Sequence, residues 1–317
     1  MEPQLDPLSP IFRQSMFWIP DRQAPSAWDE HVPFAFWLVD VLRPAMIVEL
    51  GTYHGVSYSG FCQAVKSLSL PTCCFAIDTW KGDQHTGFYG DEVHREFVAF
   101  HDKHYSAFSR LVRSTFDEAI SHFADGSIDL LHVDGLHTYD AVRHDFESWL
   151  PKLSANAVVL FHDANVRENS FGVSKFWEEL SSAHKGLHFD FLHGHGLGVL
   201  GFGFDYCSPL RLLFDADQNK LVGGVRQIFA SIGRLSALEG ELRSLKHALP
   251  EREAQLSSLQ SALAEREAQL SSLQSTISAL YASSSWRASA PLRAGKRLFE
   301  GMRMRLSALA RRRVPRE

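Results

Sequence analysis

The chain has 317 residues, 45% hydrophobic and 12% aromatic, enough for one sizeable core with further segments attached. Its formal net charge of −5 argues against a nucleic-acid binder acting through bulk charge. The four cysteines form no C-x-x-C pair, which argues against a zinc or redox motif.

The average charge hides an asymmetry. Residues 282–317 carry ten Arg or Lys and two Glu, a net of +8, which leaves about −13 (−5 minus 8) for the rest. The N-terminus lacks a basic stretch followed by an apolar core, and no apolar run approaches the ~20 residues that span a bilayer. A soluble, cytoplasmic protein is the expectation. Cys62, Cys73 and Cys74 fall in apolar runs and read as small core residues.

Residues 1–30, rich in proline and aromatics, read as an irregular arm that packs on the domain or over its site. Val32 to Leu42 reads as a helix stopped by Arg43-Pro44. Then comes Met46-Ile-Val-Glu49-Leu-Gly51-Thr52-Tyr53-His-Gly55: a strand, a glycine turn and a helix start with Ser57 at or near its cap. Glycine lets backbone approach a ligand, and the helix N-terminus offers unpaired N–H groups. The spacing is Glu-x-Gly-x-x-x-Gly, not the glycine triad of dinucleotide sites. A carboxylate at Glu49 would repel a pyrophosphate and suits a ligand bearing an ammonium group. The pattern resembles motif I of class I S-adenosylmethionine-dependent methyltransferases.

A second apolar run ends in Asp78, which is placed to accept hydrogen bonds from ribose hydroxyls. The loop from Thr79 and Trp80 to Gly90 is dense in functional side chains, and Asp83, His85 and Tyr89 are its candidates for shaping an acceptor site. Asp91 to His104 reads as a helix, Arg110 to Val112 as a short strand, and Ser114 as the cap of a helix running through Phe123. Strands at 127–134 and 156–163 end in Asp134 and Asp163, separated by a helix from Asp140 to Leu150. Ser174 to Ser181 reads as helical, and Phe189 to Leu192 with Leu197 to Phe204 as a closing pair of strands. Strands alternating with helices argue for a parallel sheet whose carboxyl ends share one rim. Asp78, Asp134 and Asp163, with His137 and His162, converge there.

Two aspartates and a histidine suit a divalent cation such as Mg²⁺, which would acidify a substrate hydroxyl. Either His137 or His162 could take the proton, and each could instead be a capping or supporting residue. Helix capping is also open for Asp134.

Together, Val48 to Gly55, Asp78 to Asp83, His132 to Tyr139 and Phe161 to Asp163 look like the methyltransferase branch similar to macrocin-type sugar O-methyltransferases and cephalosporin-hydroxylase-like proteins. The resemblance covers about residues 30–205. It implies a doubly wound, mostly parallel seven-stranded Rossmann-like sheet, with the domain at 31–206. It also implies S-adenosylmethionine held by Glu49, Gly51, Thr52, Tyr53, Gly55, Ser57, Asp78, Thr79, Trp80 and Asp134, and acidic metal positions at Asp134 and Asp163. One departure is Ala164, where metal-dependent relatives often carry Asn or Asp.

After a linker at 207–233, leucines from Leu235 to Leu280 recur at alternating spacings of three and four, with Arg252 and Arg266 in two core places. Glu251 to Ala264 repeats almost letter for letter as Glu265 to Ser278. This predicts a coiled coil at 234–281 and a homo-oligomer, with a break or kink at Pro250. A single amphipathic helix lying back on the domain is the alternative, and the two arginines leave short or antiparallel pairing open. The tail at 282–317 resembles one found on bacterial glycosyltransferases and polysaccharide-assembly proteins. It reads as a basic amphipathic segment that can lie on an anionic membrane surface. The tail's resemblance favours a sugar or glycan acceptor in surface-polysaccharide assembly. A hydroxylase-like enzyme on the same scaffold, or a non-catalytic assembly protein, is the alternative.

Overall fold

In the computed structural model the described residues are 8–168, 171–184, 187–203 and 205–311, with side chains described as far as Met304. The first seven residues of the expected arm, Phe204 at the expected end of the last strand, and the last six residues of the tail lie outside them. Two compact units divide the chain, Met1–Ser244 and Leu245–Glu317.

In chain order the first unit runs α1 (Val32–Leu42), β1 (Met46–Leu50), α2 (Val56–Ser67), β2 (Cys73–Asp78), β3 (Gly82–Asp83), β4 (Gly87–Phe88) and α3 (Asp91–His104). It continues with β5 (Ser109–Arg113), α4 (Phe116–Ala119), β6 (Ile128–Val133), α5 (Tyr139–Trp149), β7 (Leu153–His162), α6 (Val173–Ala183), β8 (His188–Phe191), β9 (Leu197–Gly201) and α7 (Ser208–Phe214). Then follow α8 (Val222–Ala282), α9 (Ser284–Ala288) and α10 (Ala290–Arg311).

Seven strands form one sheet in the order β5-β2-β1-β6-β7-β9-β8. Pairs are parallel from β5 to β7, and β9 is antiparallel to both neighbours. The expected doubly wound, mostly parallel Rossmann-like sheet is therefore the one present. The winding reverses between β1 and β6, where open α/β sheets form their ligand crevice. Apolar side chains fill both faces of the sheet. On one face α1 is buried nearly all round, from Val32 to Val39, as a helix without a polar side must be.

Several boundaries differ from the sequence reading, each for a local reason. Thr115, not Ser114, caps α4 through a capping box with Glu118, and the helix tightens into a 3₁₀ turn at Ile120–His122. The loop after Asp78 contains a two-stranded hairpin, β3 with β4. Cys73 is exposed while Cys62 and Cys74 are buried, because alternation along β2 turns Cys73 outward. The segment 207–233, read as a linker, instead forms α7 and the first turns of α8, which bury Leu210, Leu213, Phe214, Val225 and Phe229 in the core. The break expected at Pro250 is absent, and α8 continues through it. Among the described residues no helix is long and apolar enough to cross a membrane.

Candidate active site

The glycine turn after β1 is built by close approach. Gly51 has φ +88°, and a Cβ there would lie 2.0 Å from the carbonyl oxygen of Asp134. Gly55, at φ +76°, is the N-cap of α2, and a Cβ there would meet the Phe97 ring. Ser57, expected near the cap, lies in the first turn of α2. That turn leaves N–H groups without helical acceptors, an electropositive end facing the turn.

Asp78, at the end of β2, accepts three backbone N–H groups. Oδ2 takes Thr52 N at 2.8 Å and Tyr53 N at 3.0 Å, and Oδ1 takes Trp80 N at 2.7 Å. It thereby ties the glycine turn to its own loop, with acceptor capacity left over. Trp80 completes the tie by donating its indole N–H to Tyr53 O at 3.0 Å.

Glu49 lies inside the protein rather than in a cleft wall. Its Oε2 is 2.8 Å from His132 Nδ1, and its Oε1 has no hydrogen-bond partner among the described residues. Trp28 donates its indole N–H to His132 Nε2 at 3.2 Å. An indole only donates, so Nε2 is the acceptor and the proton sits on Nδ1, directed at Glu49. Burial pushes the Glu49 pKa up, while His132 and Ser57 pull it back.

The second constellation gathers at the ends of β6 and β7. Asp134 Oδ1 lies 3.5 Å from His137 Nε2 and 3.4 Å from His162 Nδ1. Asp163 Oδ2 lies 2.9 Å from His137 Nε2 and 3.6 Å from His162 Nδ1, and its Oδ1 is 3.1 Å from His195 Nδ1. His162 Nε2 donates to the Gly194 carbonyl at 3.1 Å. That bond leaves Nδ1 facing two carboxylates, where only a proton or a cation fits. Burial pulls the pKa of both His137 and His162 down, but Asp134 and Asp163 outweigh it and lift each to about 10. Burial also raises both aspartates, and the histidines outweigh it and hold them well below the usual carboxylate range. Ligand atoms of Asp134, His162 and Asp163 lie within 4.8 Å of one another, a donor set that could hold a metal ion.

Two adjoining clefts share Gly51, Thr52, Tyr53, Thr86 and Asp134. The first, about 270 Å³, has Asp78, Thr79, Asp83, Tyr89, Thr115 and Phe116 in its walls. The second, about 390 Å³, has Gly55, Ser57, His85, His137, His162 and Asp163 in its walls, with Trp28, Phe171 and His195. The three substrate candidates are thus divided. His85 faces the second cleft beside His137 and Phe171, while Asp83 and Tyr89 line the first. The Asp83 carboxylate is also engaged with its own turn, accepting His85 N and Thr86 N. Glu49 and Trp80 line neither cleft, and Asp78 is not brought to the Asp134–Asp163 cluster.

The sequence reading missed Trp28, His195, Phe171, Thr115 and Phe116. Only position could have flagged Thr115 and Phe116, since they follow a strand's carboxyl end. Trp28 arrives from an arm 104 residues away from His132.

Residues 48–164 match the family described as a methyltransferase domain. The chain is 53% identical over 188 residues to the uncharacterized protein y4gI of Sinorhizobium fredii (strain NBRC 101917 / NGR234), a match covering 59% of this chain. It spans only 20% of that relative's length. Among solved structures, the chain is similar to the O-methyltransferase TomG from Streptomyces achromogenes, involved in tomaymycin synthesis and bound to SAM. The identity is 12%, covering 58% of this chain and 83% of that one, with a TM-score of 0.42. It is also similar to the SAH-bound methyltransferase PaMTH1 of Podospora anserina, at 14% identity over 55% of this chain and 78% of that one, with a TM-score of 0.42. The matched segment takes in the glycine turn, Asp78 and the Asp134–Asp163 cluster, and it is similar to a methyltransferase domain.

Proposed function

We propose that the protein transfers a methyl group from S-adenosylmethionine to a hydroxyl of a sugar or glycan. The observation that carries the reading is the junction of the two clefts at Gly51, Thr52, Tyr53 and Asp134, which joins the glycine turn to the aspartate–histidine cluster.

The residues fit the cofactor. Asp78 and Thr79 suit ribose hydroxyls in the first cleft. The first turn of α2 suits a carboxylate, while Glu49, buried behind the turn and in neither cleft wall, supports the turn through His132 rather than meeting the ligand. Bound there, S-adenosylmethionine supplies a methyl group already activated by its sulfonium, which leaves the protein to align the accepting oxygen.

His137 is the better candidate for the base. Its Nε2 is held by Asp163 and Asp134, and its Nδ1 has no partner among the described residues. Such an arrangement orients the ring, and a cation held by Asp134 and Asp163 would offset the charge that lifts its pKa to about 10, leaving Nδ1 free of its proton and able to take that of the hydroxyl. His162 has both ring nitrogens engaged and is better suited to positioning or to ligating a cation. Asp134, His162 and Asp163 would hold that cation, which would lower the pKa of the hydroxyl. The imidazole nitrogen widens the fit from the expected Mg²⁺ toward Mn²⁺ or Zn²⁺.

An acceptor sugar is supported by a second-cleft wall that mixes the Phe171 ring with polar His85 and His195. In α10, the exposed Leu298, Phe299 and Met302 lie among Lys296, Arg297 and Arg303, which supports peripheral contact with an anionic membrane surface.

The test is transfer of labelled methyl from S-adenosylmethionine to a panel of nucleotide sugars, free sugars and catechol, with and without Mg²⁺ or Mn²⁺. Labelled sugar, lost in Asp163→Asn, is the expected result. A folded protein that does not bind S-adenosylmethionine would sink the reading, and labelled catechol alone would overturn the acceptor.

A further inference from the structure

With Leu235 at heptad position a, Arg252 and Arg266 both fall at position d, and every other a or d place through Leu280 is Leu or Ile. These twelve apolar residues are each 50–68% exposed on the single helix. Pro250 falls at position b, on the outer side, so it leaves the seam intact.

The arginines decide how such a seam can pair. In a symmetric parallel dimer each residue meets its own copy. Arg252 would then face Arg252 of the partner subunit, and Arg266 would do the same, two buried like-charge layers with nothing to offset them. In an antiparallel pair, a layers meet d layers, so an arginine always meets an a-position leucine.

We propose that α8 pairs with α8 of a second copy of this chain in an antiparallel coiled coil, with Leu235 facing Leu280 of the partner subunit. This alignment overlaps the whole seam. It sets Arg252 against Leu263 of the partner subunit and Leu249 against Arg266 of the partner subunit. An arginine stem covers a leucine well while its head reaches the rim. Arg252 and Arg266 already reach Gln255 and Gln269, each at 3.2 Å. At the edge Lys246 falls beside Glu267 of the partner subunit. A parallel pair would have two rim matches of its own, Arg234 with Glu239 of the partner subunit and Glu241 with Lys246 of the partner subunit, but exposed pairs contribute little. The core arginines therefore set the direction. Pairing of α8 is independent of what the clefts bind.

Sedimentation equilibrium of the full chain should give twice 35.7 kDa. A monomer at every concentration up to the solubility limit, or a trimer or larger, would overturn the proposal without any substitution. Direction is read by disulfide trapping in a background of Cys73→Ser and Cys207→Ser, which removes the exposed thiols. Chains carrying Leu242→Cys mixed with chains carrying Leu273→Cys should cross-link as a heterodimer, and neither should cross-link alone. A self-cross-linked Leu242→Cys dimer would mean a parallel coil. Circular dichroism of each variant confirms that the helix has formed before its trapping result is read.

Discussion

Glu49 and His132 are direct partners in the parallel ladder between β1 and β6, and their side chains meet at 2.8 Å. The sheet register thus supplies the acid at the end of β1 with a buried counterpart on the next strand. Trp28, from the N-terminal arm, fixes the proton that His132 presents to Glu49. The arm, the sheet interior and the back of the glycine turn form one hydrogen-bonded chain, so damage at its far end should be felt at the turn.

Trp28→Phe tests that chain. The change keeps an aromatic ring and removes only the donor, leaving His132 Nε2 buried and unpaired. An unsatisfied buried group costs about 1–3 kcal/mol, and a domain of this size loses roughly 2–4 °C of Tm per kcal/mol. The melting temperature should fall by several degrees, and His132→Ala, which strands Glu49, should fall further. An unchanged Tm in Trp28→Phe would show that the indole hydrogen bond carries no stability.

His137 and His162 should separate kinetically. His137→Ala should lower kcat by about 10²–10⁴-fold, the usual contribution of a positioned base, while the Kd for S-adenosylmethionine stays within a few-fold. His162→Ala removes a candidate cation donor and should weaken Mn²⁺ binding, read by calorimetry without turnover. If the kcat loss tracks His162 and spares His137, the roles are reversed.

How much of the fold and site is legible in the sequence follows from the range of each interaction. Helices α1 and α3, the glycine turn and the acids at Asp78, Asp134 and Asp163 can be read because each is fixed by neighbours a few residues away. Glu49 can be found but not aimed, since its target is set by β1–β6 register. The joining of His162 to His195 depends on the β7–β9 pairing, which no local pattern reports. Residues 207–233 read as a linker because their apolar positions lack a sustained period, although Val225 and Phe229 are buried.

Gly51 offers a matched pair of substitutions. Gly51→Ala places a Cβ 2.0 Å from Asp134 O at φ +88°, whereas Gly87→Ala, at φ +79°, meets nothing within 4 Å. Both incur left-handed strain of roughly 1–2 kcal/mol, but only the first must also move the backbone that carries Asp134. Gly51→Ala should therefore lose more stability than Gly87→Ala and at least ~10-fold of its affinity for S-adenosylmethionine. Equal effects at the two sites would mean that backbone strain alone matters and that the close approach of the turn to Asp134 does not.

Asp145 sits on α5 under Gly135, whose Cβ, if present, would lie 3.2 Å from its Oδ2. Burial lifts its pKa to about 7, with Asp117 adding to the rise and His144 opposing it. The folded state thus prefers the neutral acid. That preference is fully felt below the unfolded value of roughly 3.9 and is lost as pH rises through about 7. Asparagine keeps the shape and never ionises, so Asp145→Asn should match the wild type near pH 4 and gain on it as pH climbs. By pH 8 the advantage should reach ~2–4 kcal/mol, since each tenfold weakening of the acid corresponds to about 1.4 kcal/mol and solvent screens part of it. Thermal unfolding of both proteins at the two pH values gives the comparison directly. A difference in Tm that is the same at both would mean that Asp145 ionises as easily folded as unfolded, and that water reaches the pocket beneath the β6 turn.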